Sequence, residues 1–210
     1  LVRWKYQRYV KDYLRCVAAV DDGVGRILKS LDKLGLSENS IVIYSSDQGF
    51  YLGEHGWYDK RWIYEESLKM PLVMRWPGKI KPGTKIKKLT QNIDFAPFFL
   101  EAAEAEIPDE IQGRSLMSLF NEPEALWRKA IYYHYYEAGG HGVPAHYGIR
   151  DERYKLVHYP KSDEWNLVDL KKDPSEMQSV HDNPEYKKVL DSMHSKLRDL
   201  QNKYDVETSR

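Results

Sequence analysis

Residues 41–60 constrain this chain more than any other stretch. Ile41-Val42-Ile43-Tyr44 places four β-branched or aromatic residues in a row, which reads as a strand buried on both faces. Two serines later come a carboxylate, an amide and a glycine: Asp47, Gln48 and Gly49. In open parallel sheets, ligands bind in the crevice beyond the carboxyl ends of the strands, so a site is expected here. Asp47 and Gln48 both offer oxygen, the donor that hard cations such as calcium and magnesium select. Gly49 lets the backbone turn sharply beside them. His55 and Lys60 follow in the same loop and come within reach if it folds back. An Asp-x-Gly after a strand is also ordinary turn chemistry, and the tripeptide alone leaves both readings open.

The longer string narrows them. Residues 46–60, Ser-Asp-Gln-Gly-Phe-Tyr-Leu-Gly-Glu-His-Gly-Trp-Tyr-Asp-Lys, resemble the late metal-and-lysine motif of the type I sulfatases, within the alkaline-phosphatase superfamily. The resemblance continues at residues 64–75 (Tyr-Glu-Glu-Ser-Leu-Lys-Met-Pro-Leu-Val-Met-Arg), 92–97 (Asn-Ile-Asp-Phe-Ala-Pro), 112–116 (Gln-Gly-Arg-Ser-Leu) and 147–150 (Tyr-Gly-Ile-Arg). It implies that Asp47 and Gln48 complete a calcium site, with magnesium as the alternative. Gln48 stands where the family more often has Asn or His. It also implies that Lys60 contacts the sulfate and its bridging oxygen. His55 has two readings, a contact to the sulfate or leaving group, or an organiser of the turn that brings Lys60 inward. His141 and His146 are candidates for holding a sugar at the mouth of the site. Arg75 and Arg150 could pair with carboxylates of the substrate or of the protein.

The family's nucleophile is a formylglycine made from a cysteine or serine, accompanied by an early Asp pair and early Arg, Lys and His residues. Those motifs are not in this sequence. Its one cysteine, Cys16, lies in Leu-Arg-Cys-Val-Ala, not in a Cys-x-Pro-x-Arg or Cys-x-Ala-x-Arg setting. The sequence also begins at Leu1, with helical sequence almost at once. The expectation is therefore a C-terminal part of a sulfatase that partners a missing N-terminal half and does not turn over substrate alone. The resemblance further implies a sulfated saccharide substrate, such as a sulfated N-acetylglucosamine, and a periplasmic or secreted location. Two rivals stand beside it: a phosphodiesterase or phosphonate monoester hydrolase of the same superfamily, and a non-catalytic glycan-binding fragment.

Composition adds bounds. The 210 residues are 41% hydrophobic, enough for one substantial core or a domain with a small appendage. Lys+Arg and Asp+Glu each number 32, so net charge gives no case for nucleic acid or an anionic membrane surface. No apolar run approaches the length of a membrane span. One cysteine permits no intrachain disulfide and says nothing of the redox compartment.

The fold class predicted is α/β: part of a parallel or mixed sheet flanked by helices, then a small antiparallel sheet with a C-terminal helix. Residues 1–125 are assigned to the catalytic α/β domain and 126–210 to a small C-terminal α+β subdomain. Apolar steps of three and four over residues 4–34 mark an amphipathic helix, weakened at Gly23 and Gly25 near Asp21 and Asp22. Those two aspartates read as a solvated face rather than metal ligands, and Cys16 as a small buried residue. Strands are expected at 71–75, 131–136, 146–150, 154–159 and 165–170. Helices are expected at 62–69, behind Asp94 at 95–103, and after Pro184. A glycine-rich loop spans 138–144.

Overall fold

The computed structural model describes residues 2–137 and 139–206; Ala138, the first residue of the glycine-rich loop, lies outside them. Contacts divide the chain into two compact units, residues 1–46 with 71–84, and residues 47–70 with 85–210.

The first unit holds a long helix, α1 (Val2–Lys33), and two strands, β1 (Val42–Ser45) and β2 (Leu72–Arg75). The helix runs as a single element through Gly23 and Gly25, closed by Gly35 at φ 69°. Its apolar stripe is as the periodicity predicts, yet none of its residues is buried, and Tyr13, Val17, Val20 and Ile27 are all exposed. Cys16 is exposed with them, which corrects its expected burial: its environment follows from the helix that carries it. Asp21 and Asp22 are solvated. The strands pair antiparallel, Val42 opposite Arg75 and Ser45 opposite Leu72. Neither is buried on both faces, since Tyr44 is 43% and Val73 64% exposed. An apolar run marks a strand that can be covered on both faces, and the cover itself must come from other elements.

The second unit is built on a four-stranded antiparallel sheet in the order β3 (Ala130–Tyr135), β4 (His146–Asp151), β5 (Tyr154–Tyr159), β6 (Glu164–Asp169). Side chains alternate between its faces with period two. One face presents Ile149, Leu156 and Leu167, which form a core with Met193 and Leu197 of the C-terminal helix α5 (Lys187–Lys203). The other presents Tyr133, Val157 and Tyr159, packed on Trp62, Ile63 and Leu68. The segment carrying the motif is therefore the second cover of the sheet. At Gly148 the cover comes close to the sheet, since a Cβ there would sit 3.1 Å from Ile63 Cδ1.

The second unit also holds α2 (Glu65–Leu68), α3 (Phe95–Ala102) and α4 (Met117–Asn121). Asp94 precedes α3 as expected, but its carboxylate serves other partners. It is fully buried, accepts the Gln91 and Arg114 N–H groups at 2.8 Å each, and takes a two-pronged ion pair from Arg128 at 2.5 and 2.6 Å. This pairing crosses residues 121–125, where the sequence suggested a boundary.

Candidate active site

Asp47, Gln48, His55 and Lys60 all lie in the second unit, in a loop that folds back on itself. The fold-back is fixed by backbone bonds, with Gly49 N–H donating to the Ser67 carbonyl and Tyr51 N–H to the Asp59 carbonyl, both at 2.8 Å. Gly49 is required by this approach, because a Cβ would overlap the Glu66 carbonyl oxygen. Tyr51 is fully buried and donates its hydroxyl to the Trp62 carbonyl at 3.1 Å. Burial raises the Tyr51 phenol far above its ordinary value, so it stays neutral.

The loop brings Lys60 Nζ to 3.7 Å from Asp47 Oδ2, with the two side chains 43% and 84% exposed. Gln48 braces the loop behind them. Its Nε2 donates to the Lys60 carbonyl at 2.9 Å and to Ser67 Oγ at 2.6 Å. A backbone carbonyl can only accept, so the NH2 of the amide faces Lys60. The carbonyl oxygen is therefore the end of the amide not engaged by the Lys60 carbonyl, and it is of the kind that hard cations take. The donor set, an exposed carboxylate beside an oriented amide oxygen, fits calcium or magnesium as part of a coordination shell. Among the described residues no group of three or more His, Cys, Asp or Glu side chains converges to hold a metal, so these two are a partial set.

His55 sits in a left-handed turn at φ 54° with its ring only 9% exposed. It stacks on Tyr64 at 4.1 Å, and its Nε2 lies 3.5 Å from Glu66 Oε2. These are the surroundings of a turn organiser. His141 is exposed, in a left-handed turn at φ 61°. His146 is a correction. Expected at the mouth of a sugar site, it is completely buried on β4, ringed by Trp62, Tyr133, Tyr135 and Tyr159. Position 146 falls on the sheet face that the motif segment covers. Its Nδ1 donates to the Pro144 carbonyl at 2.8 Å, and burial holds its pKa below the ordinary histidine value. Arg150 pairs with Glu65 of the protein, at 3.0 and 3.2 Å; Arg75 is exposed on β2.

A buried charge cluster behind the loop was not among the sequence expectations. Lys155, 1% exposed, binds Glu65 at 3.1 Å and Glu176 at 2.6 Å. Burial pushes the Glu65 carboxyl up, but Arg150 and Lys155 outweigh it and bring it to about 2. For Glu176 burial wins over Lys155, and its pKa is raised. A lysine set between apolar residues of a predicted strand was the available signal.

The chain matches the family model N-sulphoglucosamine sulphohydrolase, C-terminal, over residues 53–203. It is 48% identical over 209 residues to an N-acetylglucosamine-6-O-sulfatase of Bacteroides thetaiotaomicron, covering 97% of this chain and 38% of that protein. A solved structure described as a complex with its substrate D-glucosamine-2-N,6-O-disulfate superposes with a TM-score of 0.95 at 46% identity, over 98% of this chain and 42% of the other. A phosphonate monoester hydrolase of Agrobacterium radiobacter superposes with a TM-score of 0.78 at 28% identity, over 90% of this chain and 40% of the other. The chain thus spans about two-fifths of the length of the relatives it matches.

Proposed function

Because the chain belongs to the N-sulphoglucosamine sulphohydrolase C-terminal family of sulfatases, we propose that it forms part of an enzyme hydrolysing sulfate esters of amino sugars, with 6-O-sulfated N-acetylglucosamine as the leading substrate. The observation that carries this is the approach of Lys60 Nζ to Asp47 Oδ2 at 3.7 Å, braced by Gln48 on the Lys60 backbone. The substrate follows the 48% identical relative.

Cleaving a sulfate ester moves negative charge onto the leaving sugar oxygen. Lys60 supplies a fixed ammonium against that charge as it develops. Asp47 and the amide oxygen of Gln48 would hold a calcium ion, or magnesium, which would supply positive charge to the site. His55 keeps the turn in the shape that aims Lys60. His141, exposed on its loop, contacts the sugar. The formylglycine nucleophile and the remaining metal ligands come from an N-terminal half outside this chain, and the whole enzyme acts in the periplasm or outside the cell. Among the described residues no helix is long and apolar enough to cross a membrane.

The test is sulfate release by the full-length protein from a panel of defined saccharides. Release from 6-O-sulfated N-acetylglucosamine, abolished by a calcium chelator and absent when residues 1–210 are assayed alone, is the expected result. A preference for phosphonate or phosphate esters, or activity confined to non-sugar sulfates, contradicts it.

A further inference from the structure

One turn of helix, α2, touches the loop at Gln48, Gly49, His55 and Lys60. Its first residue, Glu65, is fixed from the sheet by Arg150 at 3.0 Å and Lys155 at 3.1 Å, while Glu176 Oε2 accepts its backbone N–H at 2.6 Å. Its second, Glu66, lies 3.5 Å from His55 Nε2. Its third, Ser67, holds the site itself. The Ser67 carbonyl accepts the Gly49 N–H at 2.8 Å, and its hydroxyl accepts from Gln48 Nε2 and donates to the Lys60 carbonyl, both at 2.6 Å. Ser67 is 0% and Lys155 1% exposed. Neither can meet a substrate, so any effect they have on chemistry passes through other residues.

The charges of this cluster are not explained by packing. Ion pairs inside a protein are often no more stabilising than apolar residues of the same volume, and the sheet face around Lys155 already carries Val157 and Tyr159. What charged groups add over apolar ones is direction. Glu176 supports this: it is held at φ 51°, a conformation that non-glycine residues keep only when their surroundings over-determine it. Its two carboxylate oxygens then bridge Lys155 and the Glu65 backbone.

We infer that Ser67 is a positioning residue for Gln48 and Lys60, and that the Glu65–Arg150–Lys155–Glu176 cluster is the anchor that fixes the turn of helix carrying it. The coupling stands on the geometry alone; its consequence for turnover rests on the sulfatase reading above.

The experiment uses the full-length protein with two variants, Ser67→Ala and the double variant Lys155→Met/Glu176→Gln. The double variant removes both charges together and leaves an amide able to accept the Glu65 N–H. Hydrogen exchange over residues 47–60 and steady-state kinetics are read in parallel. Exchange in 47–60 accelerates about tenfold in both variants while α5 keeps its protection. Sulfate release shows kcat lowered about 10- to 100-fold, the range for partners behind a metal site, with KM unchanged, since no substrate contact is removed. Unchanged exchange over 47–60 overturns the inference. So does wild-type kcat in both variants of an active enzyme. Accelerated exchange in a protein whose wild type releases no sulfate supports the coupling and overturns the sulfatase reading instead.

Discussion

Lys60 and Asp47 are solvent-facing, at 43% and 84% exposure, and an exposed ion pair contributes below about 1 kcal/mol to stability. Asp47→Ala in the full-length enzyme is therefore expected to weaken calcium binding, read by titration calorimetry, while the melting temperature in excess chelator stays at the wild-type value. Gly49 behaves oppositely. Gly49→Ala forces a methyl group onto the Glu66 carbonyl, and overpacking of this kind costs about 1–3 kcal/mol. Urea unfolding is expected to show that loss, with turnover falling too because the Gln48 and Ser67 contacts lie on either side of the strain. The meeting of Asp47, Gln48 and Lys60 was legible in the sequence because a single contiguous string carries the loop that brings them together. Ser67, Lys155 and Glu176 were not, because their partners come from a turn of helix, a strand and a turn far apart in the chain, and local sequence does not encode that meeting.

At the level of the element, period-two alternation explains what His146 does. Residues 146, 148 and 150 face the motif segment, while Ile149 faces α5. The strand was correctly expected from the sequence, and applying its alternation to position 146 would have placed the ring inside. A buried neutral histidine makes stability depend on pH in a definite direction. Its folded pKa lies below 6.5 because burial disfavours the charged ring, while the unfolded chain takes up its proton near 6.5. Below that pH the unfolded state binds more protons, so stability falls as pH drops from neutrality. His146→Phe keeps an aromatic ring in the cage and is expected to flatten this fall between pH 7.5 and 5.5, read by thermal unfolding; an unchanged slope would mean that His146 takes up its proton in the folded state as readily as in the unfolded one. The mixed α/β architecture, the antiparallel sheet and the C-terminal helix were all legible from periodicity. The antiparallel pairing of β1 with β2 was not, since two short apolar runs carry no information on their mutual direction.

Across the whole molecule, the chain contributes the later part of a sulfatase fold and spans about two-fifths of its relatives. The apolar stripe of α1 is exposed here although its pattern is that of a covered face; periodicity reveals a face, never its partner. Lys60 is proposed to neutralise charge on the leaving oxygen, opposite a cation that Asp47 and Gln48 would hold. That claim has a particular signature, because a leaving group that is already a stable anion needs no ammonium. The most direct measurement is kcat/KM of full-length Lys60→Ala on two substrates, 6-O-sulfated N-acetylglucosamine and an activated nitrophenyl sulfate. A loss of about 10²–10³-fold is expected on the sugar ester, the magnitude of removing one such stabilising group, with a far smaller loss on the aryl ester. Equal losses on both substrates, or none on the sugar, would contradict it.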